Sequence, residues 1–369
     1  MSDTASTPPR RPRKVRAPGL WRWHLWAGLA GLGVLLVAAV SGALLVYQKE
    51  LVAAIVTPGA SLPADYRHQQ LAEELSALAS QRGIDPALKL KAPSQLEPYW
   101  TVRHAEGLEL LALGSLQPYS NNLWFLDVIT FIRELHVDLL SGEIGEALLL
   151  AAGVLALFLC ISGVILWWPG RRGFRWRWVL PKKLRPSQWL QYHRHTGAVS
   201  SPILLLILLT GSLMLWQKLI FPLLPANPVF TVKSAETEAQ APTTAIGRGY
   251  LLTHREIDSS WPTYITISQE QGDVMLKVRF RLNGEWHLNG RTTVWLNTHS
   301  GELRRTERAD NMPTTRRLLN QLYPLHSGFG MNTPYRLLTL LSGIALAWLC
   351  LTGGLHYYKR WQKRSAKTR

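Results

Sequence analysis

Cysteine is almost absent from this chain: two residues in 369, Cys160 and Cys350. Two thiols cannot build a disulfide framework or a four-thiolate metal site. Both lie in apolar stretches, where a thiolate would be costly, so they read as small packing residues. No Cys-x-x-Cys-His run exists for covalent attachment of a prosthetic group, and no His-Glu-x-x-His run for zinc. A Gly-x-Gly-x-x-Gly fingerprint is missing too, which removes the usual nicotinamide or flavin site. Acidic residues are nearly missing from three segments. Residues 1–23, 169–194 and 358–369 together hold 20 Lys/Arg against one acid, Asp3.

What the chain has in quantity is apolar runs. Four stretches can cross a bilayer, roughly Leu25–Val46, Ala147–Trp168, Ala198–Trp216 and Leu337–Tyr357. Each is about 20 residues, enough for a hydrocarbon core of about 30 Å. The first lacks a small-residue cleavage pattern and is expected to stay attached. The three basic segments carry +19 and the remainder of the chain −2, so the net charge of +17 is one-sided. That is the positive-inside pattern, and it predicts cytoplasmic termini and a cytoplasmic middle loop. The basic residues hug helix ends, where anionic lipid attracts them, so a pI near 10.2 does not indicate nucleic acid. Trp167, Trp168, Trp176, Trp178 and Trp189 suit an interfacial belt.

The expected fold is an α-helical integral membrane protein: a four-helix transmembrane bundle built from an internal repeat, with two extracytoplasmic α+β segments. The expected divisions are a basic tail 1–23, a first span 24–48, a first extracytoplasmic domain 49–142 and a second span 143–168. A basic loop 169–194, a third span 195–218, a second extracytoplasmic domain 219–333, a fourth span 334–358 and a basic tail 359–369 complete the chain. In the first domain the pattern predicts a helix over Tyr66–Gln81 and strands near Tyr99–Val102 and Leu108–Leu113. In the second, Met275–Leu282 and Arg291–Leu296 read as strands, with turns at Asn283-Gly284 and Ser300-Gly301.

The repeat carries histidines in register. At an offset of 169 residues, His24-Leu-Trp-Ala-Gly28 lands on His193-Arg-His-Thr-Gly197, and Ser41-Gly42 lands on Thr210-Gly211. At an offset of 190, Leu135-His136 lands on Leu325-His326, and Cys160-Ile-Ser-Gly163 lands on Cys350-Leu-Thr-Gly353. A duplicated fold puts equivalent residues around a pseudo-twofold axis. Equivalent histidines facing across it form a natural axial pair for one metal centre, and the chain has two such pairs. His24 and His193 share one side, His136 and His326 the other. His195 and His356 complicate the first pair. His195 lies two residues from His193 and cannot share its direction on a helix, and His356 has Leu166 as its repeat equivalent. Either of them is an alternative partner for His24; symmetry favours His193. The spacings of His68, His104, His254, His287 and His299 fit no metal motif, and these read as surface or structural.

These motifs, His24-x-x-x-Gly28, His193-Arg-x-x-Gly197, Leu135-His136-x-x-Leu-x-x-Gly142 and Leu325-His326-Ser-Gly328, resemble the PepSY-associated transmembrane family. Within it the pattern is similar to bacterial inner-membrane dihaem siderophore reductases of the ferrioxamine-reductase type. Leu296-Asn-Thr-His-Ser-Gly301-Glu302 is similar to a PepSY strand-turn; the first segment lacks that strand-turn. The resemblance covers nearly the whole chain except the basic tails. It implies two haem b groups held by His24, His193, His136 and His326, with electrons passed across the membrane to a ferric siderophore, of hydroxamate type among others. Bis-histidine ligation leaves iron no vacant position, which suits electron transfer. Arg22, Arg194, Lys359 and Arg360 on one side, and Arg133 and Arg336 on the other, are placed to neutralise propionates or to anchor helix ends. Trp261, Trp286 and Trp295 are expected to pack or to contribute to substrate docking. The electron donor is a partner protein or a small carrier such as a quinol. Two other functions fit the same sequence: a non-enzymatic membrane scaffold, which would be colourless, and a cytochrome b relay unable to reduce ferric chelates itself.

Overall fold

The computed structural model describes residues 18–83, 89–104, 107–181, 183–225, 242–257, 260–270 and 273–366. In chain order the helices are α1 (Pro18–Leu45), α2 (Gln48–Ile55), α3 (His68–Arg82), α4 (Trp124–Asp138), α5 (Gly142–Trp167) and α6 (Trp189–Ile220). They continue with α7 (Pro242–Glu256), α8 (Thr314–Asn320), α9 (Leu322–Ser327) and α10 (Thr333–Ser365). The strands are β1 (Lys89–Lys91), β2 (Trp100–His104), β3 (Gly107–Leu111), β4 (Trp261–Glu270), β5 (Asp273–Arg281), β6 (Thr292–Asn297) and β7 (Leu303–Glu307).

Four helices, α1, α5, α6 and α10, are long and apolar enough to cross a membrane, and they extend further than the sequence expectation at most ends. Helix α5 is apolar round its whole circumference, so it has no polar stripe to give to water. Ile144, Leu148, Val154 and Ile165 point outward and exposed, as a lipid-facing surface would. The helices form a closed ring: α1 packs on α5 and α10, and α6 packs on the same two. Thus α1 and α6 sit diagonally across the bundle. Small residues bring the backbones together. A Cβ on Gly343 would lie 3.0 Å from the Ala39 carbonyl oxygen, and one on Gly153 would lie 2.5 Å from Ser212 Oγ. Pro202 lies inside α6 and supplies no N–H to the Ala198 carbonyl; the Ser201 hydroxyl donates to that carbonyl instead, at 3.0 Å. Cys160 and Cys350 are free thiols in this bundle, the second among the buried residues of its centre with Leu35, Ala152 and Ala156.

The two long segments were expected as separate domains. They build one instead. A single antiparallel sheet runs β3-β2-β1-β4-β5-β6-β7, with β1–β3 from the first segment and β4–β7 from the second. The seam pairs Lys89 with Thr266, Leu90 with Ile265 and Lys91 with Tyr264. One face of this sheet is covered by α3 and α7. Leu71, Leu75 and Leu78 of α3 and Ile246 and Tyr250 of α7 share one buried core with Trp100, Ile265, Leu276, Phe280 and Leu296 of the strands. Glu74, buried in it, is satisfied by three donors: Tyr66 Oη at 2.7 Å, Trp100 Nε1 at 2.6 Å and the Gly114 amide at 2.6 Å.

The predicted helix over Tyr66–Gln81 corresponds to α3, and the predicted strands to β2, β3, β5 and β6. The turn at Asn283-Gly284 forms, with Gly284 at φ +82°, but it opens a loop reaching Thr292 instead of closing a tight hairpin. The Ser300-Gly301 turn does join β6 to β7, with Gly301 at φ +70°. Helix α4 falls in the expected first domain yet packs on α1 and α5 of the bundle. If both segments share the sheet, the double variant Lys89→Cys with Thr266→Cys should form a disulfide, since the two residues are cross-strand neighbours. Peptide mapping without reductant should recover the two peptides joined. Separate peptides, with both thiols free, would exclude the shared sheet.

Candidate functional site

The bundle brings together two pairs of imidazoles. His24 on α1 faces His193 on α6, with ring centroids 6.3 Å apart and planes at 84°. His136 near the end of α4 faces His326 on α9, at 6.1 Å and 29°. The first pair spans the diagonal of the bundle directly. The second is carried by two short helices, each packed on one of the same diagonal helices: α4 on α1, and α9 on α6. The pairs therefore lie at opposite ends, one where α1 begins and α10 closes with Lys359 and Arg360, and one beside the sheet.

Three of the four rings are held in the same way. Nδ1 of His136 donates to the Ala38 carbonyl at 3.0 Å, with Ser41 Oγ at 3.1 Å. Nδ1 of His326 donates to the Ile207 carbonyl at 3.0 Å, with Thr210 Oγ1 at 3.5 Å. Nδ1 of His193 donates to the Leu349 carbonyl at 3.0 Å, with Thr352 Oγ1 at 3.4 Å. His24 differs. Its Nδ1 lies 2.8 Å from Ser162 Oγ, and that hydroxyl donates to the Leu159 carbonyl at 3.3 Å. A carbonyl can only accept, so in three cases Nδ1 carries the proton; the Ser162 relay imposes the same at His24. Nε2 is then left as the lone-pair nitrogen.

A glycine follows each hydroxyl residue, and the ring lies against it. A Cβ would come within 2.7 Å of the His136 ring at Gly42, 2.7 Å of the His326 ring at Gly211, and 3.3 Å of the His24 and His193 rings at Gly163 and Gly353. The Ser/Thr-Gly dipeptides were visible in the repeat as matched pairs. Their role as cradles was not, because each serves a histidine on another helix. The signal was there in the count: four histidines in register and four Ser/Thr-Gly steps in register.

The arrangement suits a metal atom between each pair. Two imidazoles on opposite sides of one metal, with metal–nitrogen bonds of about 2 Å, place their ring centres about 6 Å apart. Both pairs have that spacing. No group of three or more His, Cys, Asp or Glu side chains suited to a metal occurs among the described residues. A metal held here would take its remaining ligands from a non-protein group.

The alternative partners lie elsewhere. His195 is buried in the other direction, with Nδ1 2.9 Å from the Gln191 carbonyl, Nε2 3.4 Å from the Gly173 carbonyl, and its ring stacked on Phe174 at 5.6 Å. It fastens the basic loop. His356 is half-buried on α10, one turn beyond the Gly353 that supports His193. Arg336 is engaged as a clamp between helices. It pairs with Glu50 at 2.5 Å, donates to the Val46 carbonyl at 2.9 Å and lies over the Tyr47 ring at 4.4 Å. Arg360 stacks on Trp21 at 5.1 Å, an interfacial anchor, and Arg133 is exposed on α4.

Of the remaining histidines, His68, His254 and His287 pack within the sheet domain, and His299 is exposed. His68 stacks on His254 at 3.5 Å and its Nδ1 is 2.5 Å from Tyr250 Oη; burial, with His254 beside it, pulls its pKa down to about 4. His287 is buried against Tyr323, with ring centroids 5.3 Å apart. Trp261 packs, donating from Nε1 to the Pro93 carbonyl at 2.6 Å, while Trp286 is 56 % exposed.

The family described as the PepSY-associated TM region matches residues 21–360, and the chain belongs to it. No curated protein matches the chain.

Gly42→Val and Gly211→Val should each force an imidazole out of its cradle. Overpacking of this kind costs about 1–3 kcal/mol. Thermal unfolding in detergent should fall for both variants and stay level for Gly33→Ala, where a Cβ meets nothing within 4 Å. Equal stability for all three would remove the cradle from the argument.

Proposed function

We propose that this PepSY-associated membrane protein is a haem-containing oxidoreductase of the bacterial inner membrane. In this reading it carries electrons across the bilayer and reduces the Fe(III) of a siderophore on the sheet side, releasing Fe(II). The observation that supports it most is the presence of two facing imidazole pairs at opposite ends of one apolar bundle. One pair could serve only one face of the membrane; two divide a core of about 30 Å into shorter steps. The one-sided basic charge supports cytoplasmic termini, with the sheet in the periplasm.

A haem held by such imidazoles would supply a one-electron Fe(III)/Fe(II) couple. His24 and His193 would hold one such group, and His136 and His326 the other. The chain's own contribution is orientation and exclusion. The Ala38, Ile207 and Leu349 carbonyls and the Ser162 hydroxyl fix the tautomer and the ring rotation, so each Nε2 is presented without reorganisation. The packed helices would keep water from each Nε2. Electrons would enter at the His24/His193 pair from a cytoplasmic donor or a quinol and leave at the His136/His326 pair. Fe(II) is held far less tightly than Fe(III) by hard oxygen chelators, so one electron per iron releases the metal and leaves the chelator intact.

Purified protein should contain two acid-extractable b-type haems per chain, giving two distinct low-spin EPR signals because the imidazole planes differ by 84° in one pair and 29° in the other. His136→Ala and His326→Ala should remove the same haem, His24→Ala and His193→Ala the other, and His195→Ala neither. Colourless protein would leave the scaffold reading. Under anaerobic conditions, dithionite-reduced protein should be reoxidised by a ferric siderophore, with Fe(II) appearing on a ferrous trap, and His326→Ala should abolish this. Reduced haems that persist in excess siderophore would point to the relay subunit.

A further inference from the structure

The second face of the sheet, away from α3 and α7, carries charge that the electron path does not use. Strand register sets it out: Lys91, Tyr264, Arg279 and Thr293 are successive cross-strand neighbours. Beside Arg279, at the end of β5 and in the loop that follows, lie Arg281 and Arg291. The three guanidinium groups have no ion pair among the described residues. Arg281 donates from Nε and Nη2 to the Glu285 backbone carbonyl, at 3.1 and 3.0 Å. Arg291 donates from Nη2 to His287 Nε2 at 3.0 Å, and its buried Nε has no partner. Arg279 lies over the Tyr264 ring at 5.6 Å. The nearby carboxylate, Glu285, accepts from the Leu282 amide at 2.9 Å through Oε2 and attracts all three arginines, one negative charge against three positive.

Burial, and then the Arg279 charge, lower the Arg291 guanidinium to about 10. A desolvated, under-compensated cluster of this kind costs stability unless an anion completes it. Forked guanidinium groups match the two oxygens of a carboxylate or phosphate. The place is also significant. His287 stacks on Tyr323, three residues before His326, and a Cβ on Gly330 would lie 2.8 Å from the Leu288 side chain. The loop that carries Arg291 therefore rests on both flanks of a sheet-side histidine. Exposed Trp286 lies at its rim.

We propose that Arg279 and Arg291 form a binding site for a carboxylate or phosphate oxyanion of the substrate, and that the chelates taken at the sheet side are accordingly anionic. As a statement about substrate this rests on the reductase reading; as an anion site it stands apart from it. The same oxyanion chemistry belongs to a haem propionate, so the test must separate the two sources.

The experiment is equilibrium dialysis of the purified full-length holoprotein in detergent against radiolabelled ferric citrate and a neutral ferric trihydroxamate. Haem content and visible spectrum are recorded on the same samples. Wild type should bind ferric citrate more tightly than the neutral chelate. Arg279→Gln and Arg291→Gln should each weaken citrate binding by roughly tenfold or more, with both haems retained. Arg279→Lys, which keeps charge without the fork, should lose part of that affinity and guards against a variant that does not fold. Citrate binding that is absent in wild type, or unchanged in all variants, overturns the proposal. Loss or spectral change of one haem with citrate binding intact also overturns it, assigning the arginines to a propionate. Ferric citrate that binds as expected but fails to reoxidise reduced protein leaves the anion site standing and counts against the reductase reading alone.

Discussion

The chemistry at both ends of the bundle depends on where one imidazole proton goes. A neutral histidine has two nitrogens, and only the one without a proton can be a ligand. In this chain the choice is made by helix backbone. A carbonyl three residues before a Ser/Thr-Gly step takes the Nδ1 proton at His136, His326 and His193, and a serine at the equivalent step takes it at His24. Helix carbonyls normally accept from the amide four residues on, so His136, His326 and His193 each add a donor to an oxygen already in use. The glycine beside it permits this: a side chain would overlap the ring at Gly42 and Gly211 and crowd it at Gly163 and Gly353.

That single device explains why the two halves of the chain had to keep more than their histidines. The pseudo-twofold axis relates α1 to α6 and α5 to α10, and it relates the cradles with them. It also accounts for the short helices α4 and α9, which at first reading look like connectors. Their task is to deliver a side chain to the flank of α1 or α6 from the sheet side. The turn after α4 places Leu139, Leu140 and Gly142 at positive φ, and Gly145 lies so near Asp138 that a Cβ would meet its carbonyl. Such a turn is strained for leucine and persists only because the packing of α4 on α1 and α5 determines it. The exception at His24 is instructive too. A hydroxyl is a weaker acceptor than a carbonyl, so the two ends of the bundle are chemically unequal although they descend from one pattern.

Spans, repeat and histidine pairs were legible in the sequence because each is a local or periodic signal. Long apolar runs need no tertiary context, and register-matched histidines show themselves by simple offset. What the sequence hid were contacts between distant segments. Strand β1 is three residues, Lys-Leu-Lys, with only Leu90 buried, and nothing local marks it as the seam of a sheet. The choice among His193, His195 and His356 was likewise open, since helical geometry separates His193 from His195 without saying which one faces inward. The Gly173 carbonyl and Phe174, from a loop twenty residues earlier, turn His195 away from His24, while His193 faces it. Asn283-Gly284 misled for a related reason: the turn is local, but the loop beyond it is shaped by α9 and the glycine at 330.

The seam between β1 and β4 bears on how this protein can be made. Lys89–Lys91 emerges about 170 residues before Trp261–Glu270. At a synthesis rate of about 5–20 residues per second, that is a wait of roughly 10–35 s. Throughout it, β1 is a strand edge without its neighbour, and the apolar face of α3 lacks α7. Two further spans must be threaded into the bilayer in the meantime. The first half of the chain is thus a membrane-anchored fragment holding half a sheet, open to pairing with a second nascent chain as readily as with its own remainder. A protein joined in this way ages in the membrane before it folds, and its assembly is paced by the ribosome.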